Sequence, residues 1–156
     1  MPFLDTLLGK YLMTFIVAMI PVLELRGAIP MGIAAGLPPV AACGVAILGN
    51  ALPAPLVILL ARRVGNLLRG TKWFGSKILW LEQHAHTKGR LIKKYRLAGL
   101  VLLVGIPLPG TGAWTGALAA SFLDIRLKNA MPAILIGLLC AGAITTAVTM
   151  GVVHLI

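Results

Sequence analysis

Polar positions are few along this chain, and they fall in blocks. No charge occurs from Tyr11 to Leu23, and none from Gly27 to Ala61; between them stands ELRG, with Glu24 and Arg26. Basic residues crowd from Arg62 to Arg96. Leu97 to Leu123 is again uncharged, and after Asp124, Arg126 and Lys128 the chain stays uncharged from Asn129 to Val153. Tyr11–Leu23 covers only ~20 Å as a helix, short of the ~30 Å hydrocarbon core of a bilayer. This predicts a hairpin over 11–36 that descends, bends at ELRG and returns, with Pro21, Gly27 and Pro30 suited to the bend. Such re-entrant segments persist at membrane depth only where protein or a wet cavity surrounds the bent backbone. A full span over 40–61 follows, with Pro53 and Pro55 predicting a kink or break. A second hairpin over 97–123 and a second span over 130–153 complete the pattern.

The second half therefore repeats the first in outline. IPVLELRGAIPMGIAAGL lines up with IPLPGTGAWTGALAASF once a one-residue gap is allowed, setting Gly27-Ala28 on Gly112-Ala113 and Ala34-Ala35 on Ala119-Ala120. The predicted fold is an all-α integral membrane protein of two inverted repeats, 1–61 and 97–156. Each is a re-entrant helical hairpin plus a transmembrane helix, joined by an amphipathic segment over 62–96. Four or five plain spans are the competing arrangement, because hydropathy resolves short helices poorly.

Composition supports a membrane protein. Charged residues make up 12% and apolar ones 59%, with mean hydropathy +0.97, against roughly a quarter charged in soluble domains. Ten of the fourteen basic residues lie between Arg62 and Arg96, which places that segment in the cytoplasm by the positive-inside rule. The flanking spans already account for this charge, so no nucleic-acid partner is inferred. Trp73, Phe74, Ile78, Leu81 and Ala85 follow helical spacing there, with Trp80 a second interfacial anchor. The N-terminus lacks the basic region and cleavage site of a signal peptide and is expected to remain. Cys43 and Cys140 read as small apolar residues. His84 and His86 have no further ligands at metal spacing, so neither a metal nor a cofactor is expected.

Glu24 and Arg26 carry the sharpest chemical signal. A charge at the bilayer centre costs at least ~2.5–3.5 kcal/mol, so its presence there points to function. A buried ion pair that merely pins the hairpin tip is the plainer alternative. In the functional reading Glu24 carries a proton and Arg26, when near, opposes its uptake. The second signal is PLPGTGAWTG, from Pro107 to Gly116. Without a lysine after its glycines it is no nucleotide-binding loop. Its glycines still let backbone N–H groups converge on an anion, and a helix starting near Ala113 adds its positive end. Pro107, Pro109, Gly110, Thr111, Gly112, Trp114 and Thr115, with Gly27 across the pair, complete the candidate substrate or coupling-ion site; a bend packed by small residues is the alternative. Asp124 and Arg126 read as an exposed loop pair or an inner gate. No nucleophile–base set is visible, so no enzyme activity is expected.

With these motifs in view, the chain resembles the small multidrug export proteins, which carry ELRG(A/G)IP-like and PLPGTGAWTG-like stretches, over nearly its whole length. GNALPAPLVILLARRVG followed by GIPLPGTG is more distantly similar to the DedA/VTT superfamily. That resemblance implies two oppositely oriented re-entrant hairpins, proton-dependent transport, drug resistance and translocation of lipids, including polyprenyl-phosphate carriers. The acidic residue of the first DedA-like hairpin corresponds to Glu24; the arginine often found after the second hairpin's proline is absent, Thr111 and Gly112 standing in that region. The resulting expectation is a proton-coupled or otherwise ion-coupled transporter of an amphipathic substrate with an anionic or lipid-phosphate headgroup, in the cell membrane and acting as a homo-oligomer, most simply a dimer. Export of cationic hydrophobic compounds and a non-transporting assembly role that holds anionic lipids are the other readings.

Overall fold

The computed structural model describes residues 6–69, 89–108 and 110–155 and is all-helical, with no strand among them. Seven helices follow in order: α1 (Leu7–Met19), α2 (Glu24–Ala34), α3 (Pro39–Ala51), α4 (Pro53–Arg69), α5 (Gly89–Gly105), α6 (Ala113–Phe122) and α7 (Leu127–Leu155). The expected amphipathic run through Trp73, Phe74, Trp80 and the histidines lies outside the described residues.

The first helical pair bends earlier than ELRG. Pro21 has no amide to continue α1. The Ile20 N–H instead closes a tight turn on the Val17 carbonyl at 3.2 Å. The chain turns through Pro21–Leu23, and Glu24 opens α2 with a left-handed φ of 47°, a conformation of order 1–2 kcal/mol above the right-handed one. Glu24, Leu25 and Arg26 are thus the first turn of a helix and not the bend. Pro30 sits inside α2 without ending it. The packed face of Leu25, Ala28, Ile29 and Gly32 holds the helix together across the one hydrogen bond that the proline removes.

Two apolar stretches of 29 residues, Pro39–Leu67 and Leu127–Leu155, are long enough to cross a membrane. The first is broken at Leu52, where α3 gives way to α4. Pro53 and Pro55 withhold the amides that would reach Gly49 and Ala51, so the expected break is present. The helix then runs past Arg62-Arg63 to Arg69, beyond the expected limit at Ala61, since arginine favours helix. α7 is a single helix, with Pro132 near its start.

The same cap ends the short helix in each half. After α2, Gly36 turns left-handed (φ 91°) and the Leu37 N–H returns to the Gly32 carbonyl at 3.0 Å. After α6, Asp124 turns left-handed (φ 52°) and the Ile125 N–H returns to the Ala120 carbonyl at 2.9 Å. Leu37 and Ile125 are both buried, as the apolar residue of this capping motif should be. These caps set Ala35 on Leu123, whereas the sequence pairing set it on Ala120. Counted back from the caps, Arg26 corresponds to Trp114.

Packing is built on small residues. Ala18, Ala28, Ala42, Ala46, Ala113, Ala117, Ala120 and Ala130 are fully buried. A Cβ on Gly49 would lie 2.5 Å from the Phe15 carbonyl oxygen, and Val104 fills a notch left by Gly116 and Gly137, whose Cβ atoms would come within 2.4 and 2.7 Å of it. Close helix approach through small residues is how apolar helices associate where lipid competes equally for apolar surface. α1 packs extensively on α3, and α5 packs as extensively on α7, while α3 and α7 join the halves.

Candidate functional site

The two candidate motifs meet. α1 ends at Met19 and α5 at Gly105, and the carbonyl ends of both helices lie at the junction of the two motifs. The tip over Ile20–Arg26 faces the tip over Ile106–Trp114.

Arg26 reaches across this junction. Its Nη2 donates to the Thr111 hydroxyl at 2.8 Å, to the Ile106 carbonyl at 3.3 Å and to the Thr111 carbonyl. Its guanidinium therefore sits just past the carbonyl end of α5, where a helix favours a cation. Glu24 is 6% exposed. Its carboxylate lies against Gly112 at the start of α6, close to the backbone N–H of Trp114, where a helix favours an anion. Each charge thus complements the opposite end of a half-helix in the other motif, at about 1–2 kcal/mol apiece for such partly buried geometry. Glu24 and Arg26 are close enough to act on each other electrostatically, while the Arg26 guanidinium gives its hydrogen bonds to the second tip.

Gly112 makes room for this. Its backbone is extended (φ 169°), so no special conformation demands glycine. Space does: a Cβ there would stand 1.6 Å from Glu24 Oε2. A return bond completes the junction, with Trp114 Nε1 donating to the Met19 carbonyl at 3.1 Å. Arg26 and Trp114, which correspond by the helix caps, each donate into the end of the other half's preceding helix.

The remaining candidates surround this contact. The Thr111 hydroxyl lies 2.9 and 3.0 Å from the Leu108 and Ile106 carbonyls, and Thr115 donates to the Gly110 carbonyl at 2.6 Å. Gly110 needs its left-handed φ of 83°. Pro107 is half-buried in the loop, and Gly27 sits against Leu23, 3.1 Å from where its own Cβ would be. Pro109 lies outside the described residues. Asp124 and Arg126 stand apart, exposed in the turn between α6 and α7, with Asp124 serving the cap.

Three polar features escaped the sequence reading. Arg62 donates to the Ile125 carbonyl and Arg96 to the Leu123 carbonyl at 3.1 Å, so two arginines close the end of α6. As residues of a basic block they carried no mark distinguishing them from their neighbours. Asn50 is fully buried next to the helix break, its amide without a protein partner; a neutral polar residue inside an apolar run was the available signal.

Compared with known proteins, residues 24–144 match the family described as "Putative small multi-drug export protein". This stretch is well over half of the chain and includes Glu24, Arg26 and the whole of the second tip. No curated protein and no solved structure matches.

Proposed function

The chain belongs to the small multi-drug export protein family, and from that premise we propose that it is an ion-coupled secondary transporter of an amphipathic substrate with an anionic headgroup. In this reading the two halves are inverted repeats, and α1–α2 and α5–α6 are re-entrant hairpins whose tips meet near the bilayer midplane. Transporters of that plan place substrate and coupling ion at such an interface, where half-helix ends face each other. The distant likeness to the DedA/VTT superfamily supports the same architecture. The basic segment 62–96 faces the cytoplasm of the cell membrane, and the functional unit is a homodimer.

One observation carries the proposal: Glu24 already occupies an anion site, the amino end of α6. An incoming phosphate or carboxylate headgroup has the same requirements and must displace it. A protonated Glu24 no longer competes, so proton uptake by Glu24 and anion binding at Trp114 N–H and Arg26 favour each other. This gives the coupling a physical basis, with Arg26 supplying the permanent positive charge.

The family's description speaks of drug export; export of cationic hydrophobic compounds requires Glu24 to leave α6 and pair with the drug. Transport in proteoliposomes separates the two. Arg26→Ala abolishes movement of a fluorescent lipid phosphate and spares a lipophilic cation if the anion reading holds; loss of cation movement alone in Glu24→Gln overturns it. Glu24→Gln with full anion transport and an unchanged pH profile removes the coupling role. A detergent-corrected mass of active protein showing only monomer removes the dimer.

A further inference from the structure

The corresponding helices α2 and α6 do not pack alike. α2 lies closely against α1 and α3 and meets α7 over a smaller area. Between α2 and the last turns of α7 is an apolar cavity of about 480 Å³, bounded by Pro30, Ile33 and Ala34 on one side and Val148, Val152 and Val153 on the other. α6 does the reverse. It lies closely against α4 and only lightly against α5, and a cavity of about 330 Å³ opens between α5 and α6, beside Gly99, Leu103, Ala119 and Leu123. The caps that equate α2 with α6 also equate α4 with the second part of α7. The same element is therefore seen in two alternative packings, on its own hairpin partner in one half and on the long span in the other. The frame is common to both, since α1 packs on α3 much as α5 packs on α7.

One contact distinguishes the closed α4–α6 seam. Arg62 of α4 donates to the Ile125 carbonyl in the turn that ends α6. Its Nε is buried without a further partner. The residue corresponding to Arg62 at the α2–α7 seam is Met150, which has no charge to offer. The two seams are at opposite ends of the molecule: Ile125 immediately precedes α7 and Val152 is close to its other end, roughly 35–40 Å along the helix.

We propose that α2 and α6 are the moving elements, exchanging these two packings in opposite senses, and that Arg62 is the latch holding α6 on α4. Opening the α4–α6 seam closes α2 onto α7, so the cavity moves from one face of the molecule to the other. Packed interfaces switch between discrete arrangements more readily than they deform, and both arrangements are on view here. The inference rests on the inverted-repeat reading above but not on the choice of substrate.

Spin-label distances on the full chain in liposomes, with Cys43→Ala and Cys140→Ala, test it without any ligand. One label pair, Leu60→Cys and Leu118→Cys, spans α4–α6; the other, Met31→Cys and Val148→Cys, spans α2–α7. Arg62→Gln raises the population with a long α4–α6 distance about ten-fold, the factor expected for one charge-assisted hydrogen bond, and the α2–α7 distance shortens in step. Arg62→Lys, which retains a donor and the charge, shifts the populations less. A disulfide between Ile33→Cys and Val152→Cys, which draws α2 onto α7, lengthens the α4–α6 distance even with Arg62 intact. Unchanged distances, or both seams loosening together, overturn the proposal. Reciprocal distances without transport of either substrate class remove the transporter reading and leave the latch; transport with unmoved distances removes the latch alone.

Discussion

The first half of this chain brings charges to the contact between the two tips, and the second half brings helix ends. Glu24 and Arg26 are the ionisable side chains of the first tip; the second tip, Ile106 to Trp114, has none and offers backbone N–H groups, carbonyls and a hydroxyl. Each would be costly in isolation. A lone carboxylate or guanidinium in an apolar setting is strongly unfavourable, and so are carbonyls and amides left without partners at the ends of interrupted helices. Together they satisfy one another, with Arg26 on the end of α5, Glu24 on the start of α6, and Trp114 returning a bond to the end of α1. The difference between the halves shows that corresponding segments need not carry corresponding residues. Only the hydrogen-bonding demand has to balance across the contact.

That comparison is open to direct attack, starting with its strongest link. Arg26→Ala removes a donor from the Thr111 carbonyl and hydroxyl and leaves Glu24 without a nearby cation, and lowers stability in detergent by about 2 kcal/mol, as expected for losing hydrogen bonds from a charged group. Trp114→Phe, at the corresponding position, removes one neutral hydrogen bond and costs about 1 kcal/mol. Equal losses in a chemical unfolding titration would mean that the two crossings are interchangeable and that the charge asymmetry has no energetic content.

Gly112→Ala comes next. The added methyl overlaps the Glu24 carboxylate and drives it off the α6 terminus, costing about 2 kcal/mol as overpacking does. Gly44→Ala, where a Cβ meets nothing within 4 Å, replaces a helical glycine and stabilises by up to about 1 kcal/mol. Paired thermal melts decide the matter: a Gly112→Ala variant as stable as the parent would show that the first tip does not depend on a close approach to the second.

The smallest effects lie in the two caps. Asp124 holds a left-handed conformation that glycine adopts freely, so Asp124→Gly is neutral or stabilises by roughly 0.5 kcal/mol; Gly36→Ala places a side chain in that conformation and destabilises by about 1 kcal/mol. Opposite signs in the melting temperature confirm that one motif ends both helices. The same sign for both would break the correspondence on which the pairing of Arg26 with Trp114 depends.

Much of the architecture was legible in local sequence. Runs too short to span, long runs that can, the interruption by Pro53 and Pro55, and a helix starting at Ala113 all follow from apolar length and from proline's missing amide. The position of the first bend was not. ELRG looked like a break because it is polar, yet proline ended the preceding helix and the polar residues began the next. The candidate site was legible as a set of unusual residues without their partners. A charge in an apolar run announces that it needs compensation, but the compensation came from backbone groups, which every residue carries and no composition reveals. Arg62 shows the converse: a specific contact to the Ile125 carbonyl hidden inside a basic block already explained by topology.

By itself, then, the sequence determined the helical content, the two membrane-length segments, the break in the first and the two polar or glycine-rich tips. These are properties of residues and their near neighbours: side-chain transfer energy, proline geometry and helix length. Only the tertiary structure decided that the tips meet, that Glu24 and Arg26 separate onto two different helix ends, and that α2 and α6 lean opposite ways. Those outcomes depend on contacts between groups some eighty positions apart, whose energies arise only when the remote backbone is already in place.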